Sequence, residues 1–225
     1  LFRNYILLMV TIVQHPLNCP QSATSYGHLH LGVPIGSDEY IQERVDELID
    51  SLKLEFHKLT SRCADEPQIG FYFLANILPG RITYMLRGLP PRFSHKLAQE
   101  YDLQQRAALA SILEVHDLSE SAYDIACSPS GAGLPRARDL CDPAFVASVV
   151  AALPDIHDRV CNITQLILDH NSGAAAACDY IAEFVAAVQR LHTECPDYSL
   201  ERLLSVQPGD LKHLQRNLTR HRKVL

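Results

Sequence analysis

The sequence contains no tryptophan and no adjacent pair of aspartates, and none of its seven cysteines belongs to a C-x-x-C pair. The missing tryptophan excludes little, but the cysteine spacing excludes a zinc ribbon and a thioredoxin-like redox motif. The sequence also lacks a nucleophile elbow, a Walker loop, an H-E-x-x-H motif and an EF-hand loop. Hydrolase, nucleotide triphosphatase and zinc protease chemistry therefore have no sequence support.

The cysteines are odd in number and lie far apart, which disfavours a disulfide framework. Scattered cysteines in a chain of 225 residues are typical of buried free thiols in a reducing compartment. They favour an intracellular location, cytoplasmic or nuclear. The cysteines are Cys19, Cys63, Cys127, Cys141, Cys161, Cys178 and Cys195.

Charge is unevenly distributed along the chain. The net charge is −6, yet residues 200–225 carry six Lys or Arg against two acidic residues. Because phosphate neutralisation supplies most nucleic-acid affinity, an acidic body argues against an autonomous high-affinity nucleic-acid binder. The basic tail alone can contact phosphate, although a terminal run of this kind is more often simply solvated.

The N-terminal segment, residues 1–27, is the part whose role the sequence leaves open. Leu1 is not an initiator, which favours a fragment or an incomplete gene model. Residues 1–13 are apolar and resemble the hydrophobic region of a signal peptide, but they are too short to span a bilayer. We favour a buried strand or helix, or non-native sequence, over secretion, and we expect no membrane association.

The strongest structural pattern is a strand and turn that lead into a long helix over residues 38–59. Ser37 occupies the N-cap position, where its side chain can accept a hydrogen bond from the first turn. Apolar residues then recur at steps of three and four and form one stripe. The stripe comprises Ile41, Val45, Leu48, Leu52, Phe56 and Leu59. This stretch predicts a scaffold and contains no chemistry.

Helical patterns dominate the rest of the chain. They cover residues 69–78, 79–89, 94–116, 119–127, 137–153, 154–169, 174–192, 200–206 and 210–222. We therefore expect a mainly α fold, a multi-helix bundle with one or two short strands near the N-terminus. Two regions follow the uncertain segment 1–27: a strand-turn plus helical region at 28–128, and a C-terminal helical region with the basic tail at 129–225.

Three short motifs are better explained by structure than by chemistry. The glycine-containing loop at 128–135 follows no strand and lacks the Lys and Ser/Thr of a phosphate loop, so it indicates a connection between helices. The pairs His28/His30 and His192/Cys195 have no further residues at metal-ligand spacing that would complete a site, which favours structural roles. No metal ligands and no catalytic residues are predicted.

A local basic bias marks the segment between residues 81 and 106. The candidate nucleic-acid-binding residues in it are Arg81, Arg87, Arg92 and Lys96. A helix-turn-helix with this charge can lie against a phosphate backbone. On composition alone, an ordinary solvated helix face explains the same residues.

Three pieces of the chain, in order, resemble segments of a known family. They are LGVPIGSDEYIQERV at 31–45, RITYMLRGLPP at 81–91 and GAGLPRARDLCDPAFVASV at 131–149, and VQPGDLKHLQRNLTRHR at 206–222 is similar to the stretch that often comes next. The chain resembles the segment just downstream of the polymerase palm in LINE-like, non-LTR retroelement reverse transcriptases. Ala132 departs from the family, which usually has a second paired glycine there.

The resemblance implies a thumb-like or connecting helical segment that packs beside the palm and supports the RNA/DNA template–primer. It also implies that the polymerase aspartates, which hold divalent ions such as Mg²⁺ in the intact enzyme, would precede residue 29, and residues 1–28 contain no aspartate. We therefore expect no independent catalysis and no cofactor held by this chain. The alternative is an all-α scaffold that binds another protein through an exposed apolar stripe.

Overall fold

The computed structural model describes residues 26–157, 162–174, 178–207 and 209–222. Two strands, β1 and β2, precede a series of helices. The elements are β1 (Gly27–His30), β2 (Val33–Gly36), α1 (Asp38–Arg62), α2 (Pro67–Tyr72), a π-helical turn (Phe73–Ile77), α3 (Leu78–Gly88), α4 (Pro91–Ile112), α5 (Glu120–Cys127), α6 (Ala137–His157), α7 (Ile163–Asn171), α8 (Asp179–Glu194), α9 (Leu200–Leu204) and α10 (Leu211–Arg222). The predicted mainly α fold with short N-terminal strands is confirmed.

The front of the chain is an antiparallel hairpin rather than one strand and a turn. β1 pairs with β2 through a two-residue loop in which Leu31 and Gly32 both have positive φ, 53° and 84°. This geometry matches the right-handed twist of the strands. Ser37 then caps α1 as predicted, because its Oγ accepts a hydrogen bond from the amide of Tyr40 at 3.3 Å.

Helix α1 buries the predicted apolar stripe, except that Ile49 takes the place of Leu48. Ile49 is 5% exposed, whereas Leu48 is only partly buried. Helix α1 packs against α4, and β2 packs against α1.

Helix α6 lies at the centre of the bundle, where it contacts α3, α4, α8 and α10. It is long and apolar enough to cross a membrane by length and composition, but 72% of its most apolar stretch is buried. That burial is the arrangement of a core helix, which neighbouring helices cover. The same buried cluster contains Val33 near the front of the chain and Leu218 near its end.

The predicted break at Pro154 is wrong, because α6 runs through both Pro143 and Pro154. A proline removes one helical N–H and normally costs roughly 3 kcal/mol inside a helix. Here Leu153 and Ile156, on either side of Pro154, are buried, so packing maintains the helix. The next helix, α7, starts only at Ile163.

Three further boundaries differ from the sequence prediction. The apolar stretch 69–78 divides into α2 and the π-helical turn, α4 ends at Ile112 rather than at residue 116, and α8 begins at Asp179. The expectations for residues 1–25 lie outside the described residues.

The N-terminus of α6 is capped by a buried carboxylate from another helix. Asp102 of α4 is 3% exposed, and it accepts hydrogen bonds from the amides of Ala137 at 2.7 Å and Arg138 at 3.1 Å. The Arg138 Nε donates to the same carboxylate at 3.1 Å. Burial raises the pKa of Asp102, and these three donors oppose that shift. The carboxylate ties the α4 and α6 helices together.

Candidate nucleic-acid interface

Lys96 and Arg81 form ion pairs with carboxylates in the middle and C-terminal half of α1. Lys96 Nζ lies 2.6 Å from Asp46 Oδ1, and Arg81 pairs with Glu55. The hydrogen bond from Lys96 lowers the pKa of Asp46. Both pairs lie near the surface, where they contribute little to stability and where phosphate can compete for the cation.

Arg92 faces a group of acidic side chains from two helices. Its Nη2 is 2.8 Å from Asp38 Oδ1 at the start of α1 and 3.9 Å from Asp179, and its Nη1 is 3.7 Å from Glu183. Arg81, Arg92 and Lys96 therefore follow one another along α1, each opposite a carboxylate. Their role as phosphate contacts remains a prediction.

Arg87 lies elsewhere, at the C-terminal end of α3. Its Nε donates to Gln215 Oε1 of α10 at 2.7 Å, and its backbone carbonyl accepts a hydrogen bond from Ser148 Oγ of α6 at 2.6 Å. Burial lowers the pKa of Arg87, but an arginine remains charged at neutral pH. The structure thus separates Arg87 from the other three cations and brings it to the basic tail.

Arg87, α10 and the loop before α6 form an open surface groove of about 700 Å³, which we call the basic groove. Its lining residues are Arg87, Pro129, Leu140, Lys212, Gln215, Arg216, Thr219 and Arg220. The loop at 128–135 connects α5 to α6, as predicted, and it contributes Pro129 to this groove.

The cations of α10 form a stripe along the basic groove. Lys212, Arg216 and Arg220 are exposed and recur at four-residue steps, so consecutive members stand about 6 Å apart along the helix axis. Among the residues that the structure describes, none of these three makes an ion pair with a carboxylate. They differ in this respect from Arg81, Arg92 and Lys96.

Apolar residues on the opposite side of α10 hold the stripe in place. Leu214 and Leu218 are 6% and 2% exposed, and the helix packs on α6. Burial of two leucines contributes about 3–6 kcal/mol before entropy costs. Helix α10 is therefore part of the bundle, and its cations project from a fixed surface rather than from a free tail.

The chemistry of the basic groove suits phosphate oxygens. Guanidinium and ammonium groups bind the sugar–phosphate backbone without reading sequence. No aromatic side chain is among the lining residues, which disfavours the stacking of unpaired bases. The groove consequently favours contact with a duplex backbone.

Buried charges elsewhere are neutralised within the chain. Asp142 on α6 is 1% exposed, and it accepts hydrogen bonds from Arg190 Nη2 at 2.8 Å and Arg190 Nε at 3.0 Å. His95 Nε2 lies 3.2 Å from the same carboxylate. This cluster joins α4, α6 and α8, and it opens onto none of the grooves described here.

Free cysteines are spread over the described part of the chain. That part of the chain contains no group of three or more His, Cys, Asp or Glu placed to hold a metal ion. Cys127 and Cys141 are buried free thiols as expected, whereas Cys63, Cys178 and Cys195 are only partly buried. Cys19 and Cys161 lie outside the described residues.

Sequence reasoning did not commit to Lys212, Arg216 and Arg220 as site residues. The available signal was the basic excess after residue 200 together with leucines at 211, 214 and 218, which marks an amphipathic helix. What the sequence could not supply was the position of Arg87, 125 residues earlier than Lys212, against that helix.

No protein-family model matches this chain, and no curated protein or solved structure matches it. The resemblance to retroelement reverse transcriptases therefore remains a prediction.

Proposed function

We propose that this chain is a helical module that binds the backbone of a nucleic-acid duplex through the basic groove. The observation that carries the proposal is the stripe of Lys212, Arg216 and Arg220, three exposed cations with no carboxylate partner among the described residues, beside Arg87. Among the described residues, Lys212, Arg216 and Arg220 form no ion pair that a phosphate would have to displace, so their charge neutralisation contributes to affinity.

In the form that the sequence resemblance suggests, the module belongs to a retroelement reverse transcriptase-like protein of the cell interior. It would lie beside a palm domain, support the template–primer duplex and perform no catalysis itself. Divalent metal chemistry would belong to the palm, because the chain has no adjacent aspartates.

Duplex binding is tested by comparing two alanine triple variants with the wild-type chain. The α10 triple variant replaces Lys212, Arg216 and Arg220, and the matched control replaces Arg81, Arg92 and Lys96. Each removes three positive charges. Fluorescence anisotropy with a labelled RNA–DNA duplex at about 50 mM salt gives the affinities.

We expect the α10 triple variant to bind at least roughly tenfold more weakly, and the control to lose less than about threefold, because its cations already have carboxylate partners. Equal losses would show that net charge alone drives binding. A larger loss of affinity in the control would show that the duplex binds to Arg81, Arg92 and Lys96 instead.

The placement in a reverse transcriptase-like protein has a separate test in the flanking gene sequence. An upstream open frame that encodes a palm with an F/Y-x-DD motif supports it. A start codon close to Leu1 with no such frame contradicts it, and it favours the second candidate, a protein-binding scaffold. That candidate is supported by exposed apolar side chains at Ile69, Tyr72, Phe73 and Ile77.

A further inference from the structure

A second groove lies between the C-terminal half of α1 and the wall formed by the π-helical turn and the start of α3. Its volume is about 350 Å³. We call it the apolar groove. Leu59 of α1 and Cys63, which follows α1, line one side, and Phe73, Ile77 and Leu78 line the other. The two grooves have no lining residue in common. Helix α3 contributes to both, with Arg81 in the apolar groove and Arg87 in the basic groove.

Large apolar side chains remain exposed along one wall and beyond it. Phe73 is 39% and Ile77 48% exposed, and the neighbouring Ile69 and Tyr72 are 49% and 56% exposed. Scattered single leucines are normal on a protein surface, but four such side chains within nine residues form a patch that monomers seldom leave open.

The exposed patch includes the π-helical turn. The amide of Leu78 donates to the carbonyl of Phe73, five residues earlier, which widens the helix by one residue in that turn. Phe73 and Ile77, the first and last residues of the π-helical turn, both line the groove. Wide turns of this kind are less stable than α-helix and occur often at functional sites.

Charges at the edge of the apolar groove are mostly positive. Lys58 and Arg62 line it from α1, and neither makes an ion pair among the residues that the structure describes. Glu55 and Arg81 also line it, and they pair with each other across the two walls. The groove therefore presents two uncompensated cations beside an apolar surface.

We propose that the apolar groove binds an acidic amphipathic helix of a partner protein. Apolar side chains of that helix, at helical spacing, would pack on Phe73 and Ile77, and its carboxylates would pair with Lys58 and Arg62. Both walls of the groove are helical and offer no strand edge to which an extended peptide could add. This favours a helical occupant, which satisfies its own backbone hydrogen bonds.

Two synthetic peptides test this proposal. Both carry leucine at positions i, i+3, i+4 and i+7 over three turns, and the remaining positions are mainly glutamate in one peptide and mainly lysine in the other. Anisotropy titrations use the full chain and three double variants: Phe73→Ser/Ile77→Ser, Lys58→Glu/Arg62→Glu, and the control Leu54→Ser/Ile125→Ser. The control removes two exposed apolar side chains, 52% and 66% exposed, that do not line the groove.

We expect the glutamate peptide to bind at least roughly tenfold more tightly than the lysine peptide. The Phe73/Ile77 variant should lose at least about tenfold in affinity, because both anchors are truncated. The Lys58/Arg62 variant should reverse the charge preference, and the control should bind like the wild type.

Three results would overturn the proposal: no measurable binding of the glutamate peptide, equal binding by the Phe73/Ile77 variant, or preference for the lysine peptide. Sedimentation of the chain alone adds a fourth, since a dimer abolished by Phe73→Ser/Ile77→Ser would make a second copy the occupant. Duplex binding is measured on the same variants. Because the two grooves are separate, a wild-type chain that binds the duplex but not the glutamate peptide refutes this proposal without affecting the proposed function.

Discussion

Buried carboxylates in this acidic chain have a structural role, because they accept hydrogen bonds from residues on neighbouring helices. Asp142 is an example, because its two oxygens are occupied by Arg190 and His95. Burial alone would raise the pKa of Asp142, but the hydrogen bonds from His95 and Arg190 outweigh burial and hold the pKa at about 2. Asp102 and Asp142, the two aspartates that are buried among the described residues, therefore each join helices.

The Asp142 pKa predicts how stability depends on pH. A pKa of about 2 in the folded chain, against an ordinary aspartate value of 3.8, means that the ionised carboxylate stabilises the fold at neutral pH. This contribution is fully present above about pH 4 and is lost as pH falls through 2, which amounts to about 2 kcal/mol. Urea unfolding between pH 5 and 2 measures it.

In Asp142→Asn, the loss of stability across that acid range should be smaller by this amount, and stability at pH 7 should be lower because Arg190 loses its partner. Asp46→Asn is the control, since Asp46 has a lowered pKa but is solvent-exposed. Between pH 5 and 2, the free energy of unfolding of Asp46→Asn should fall by as much as that of the wild type. If Asp142→Asn lost as much stability as the wild type between pH 5 and 2, the hydrogen bonds assigned to Asp142 would be contradicted.

At the scale of elements, the sequence predicted those helices whose signals are local. The length of α1 followed from Ser37 and an apolar repeat, both of which lie within the helix itself. The continuation of α6 through Pro154 depends on neighbours that hold the helix from outside, and a local pattern cannot report them. One or two short strands were predicted at the front of the chain, but their antiparallel pairing across Leu31 and Gly32 was not.

For the candidate site too, the sequence predicted the local features and not those that depend on helix packing. The amphipathic α10 is visible in the sequence as leucines alternating with cations, whereas the pairing of Arg81, Arg92 and Lys96 with α1 depends on how two distant helices pack. The sequence could nominate cations, but it could not show which ones already have partners.

Two glycines of α3 give a prediction about helix packing. A Cβ on Gly88 would lie 2.8 and 2.9 Å from the two Cγ atoms of Val33, whereas a Cβ on Gly80 would meet nothing within 4 Å. Gly88→Ala should therefore destabilise the chain by about 1–2 kcal/mol, since overpacking exceeds the gain in helix propensity. Gly80→Ala should stabilise it by roughly 0.5 kcal/mol.

Chemical denaturation followed by circular dichroism measures both glycine variants. The pair shares one helix and one substitution, so the difference isolates the contact between α3 and β2. Equal effects of the two substitutions would show that the hairpin does not pack on Gly88 as described.

At the scale of the whole molecule, the buried cluster crosses the predicted boundary between regions 28–128 and 129–225. Leu86 and Leu97 from the first region belong to the same cluster as Phe145 and Leu218 from the second. A shared core of this kind favours a single cooperative unfolding unit.

We therefore expect one unfolding transition by every probe. The chain has nine tyrosines and no tryptophan, so tyrosine fluorescence reports tertiary packing and far-ultraviolet circular dichroism reports helix. The two curves against urea should coincide. Two separated transitions would show that the regions at 28–128 and 129–225 unfold independently.

The central claim is that Arg87, Lys212, Arg216 and Arg220 neutralise phosphates in the basic groove, and the salt dependence of binding tests it most directly. With four contacts, log K for a DNA duplex should fall against log salt with a slope of about −3.6, or roughly 150-fold between 50 and 200 mM. The α10 triple variant should retain a slope of about −0.9. A slope that the triple variant leaves unchanged would contradict the account.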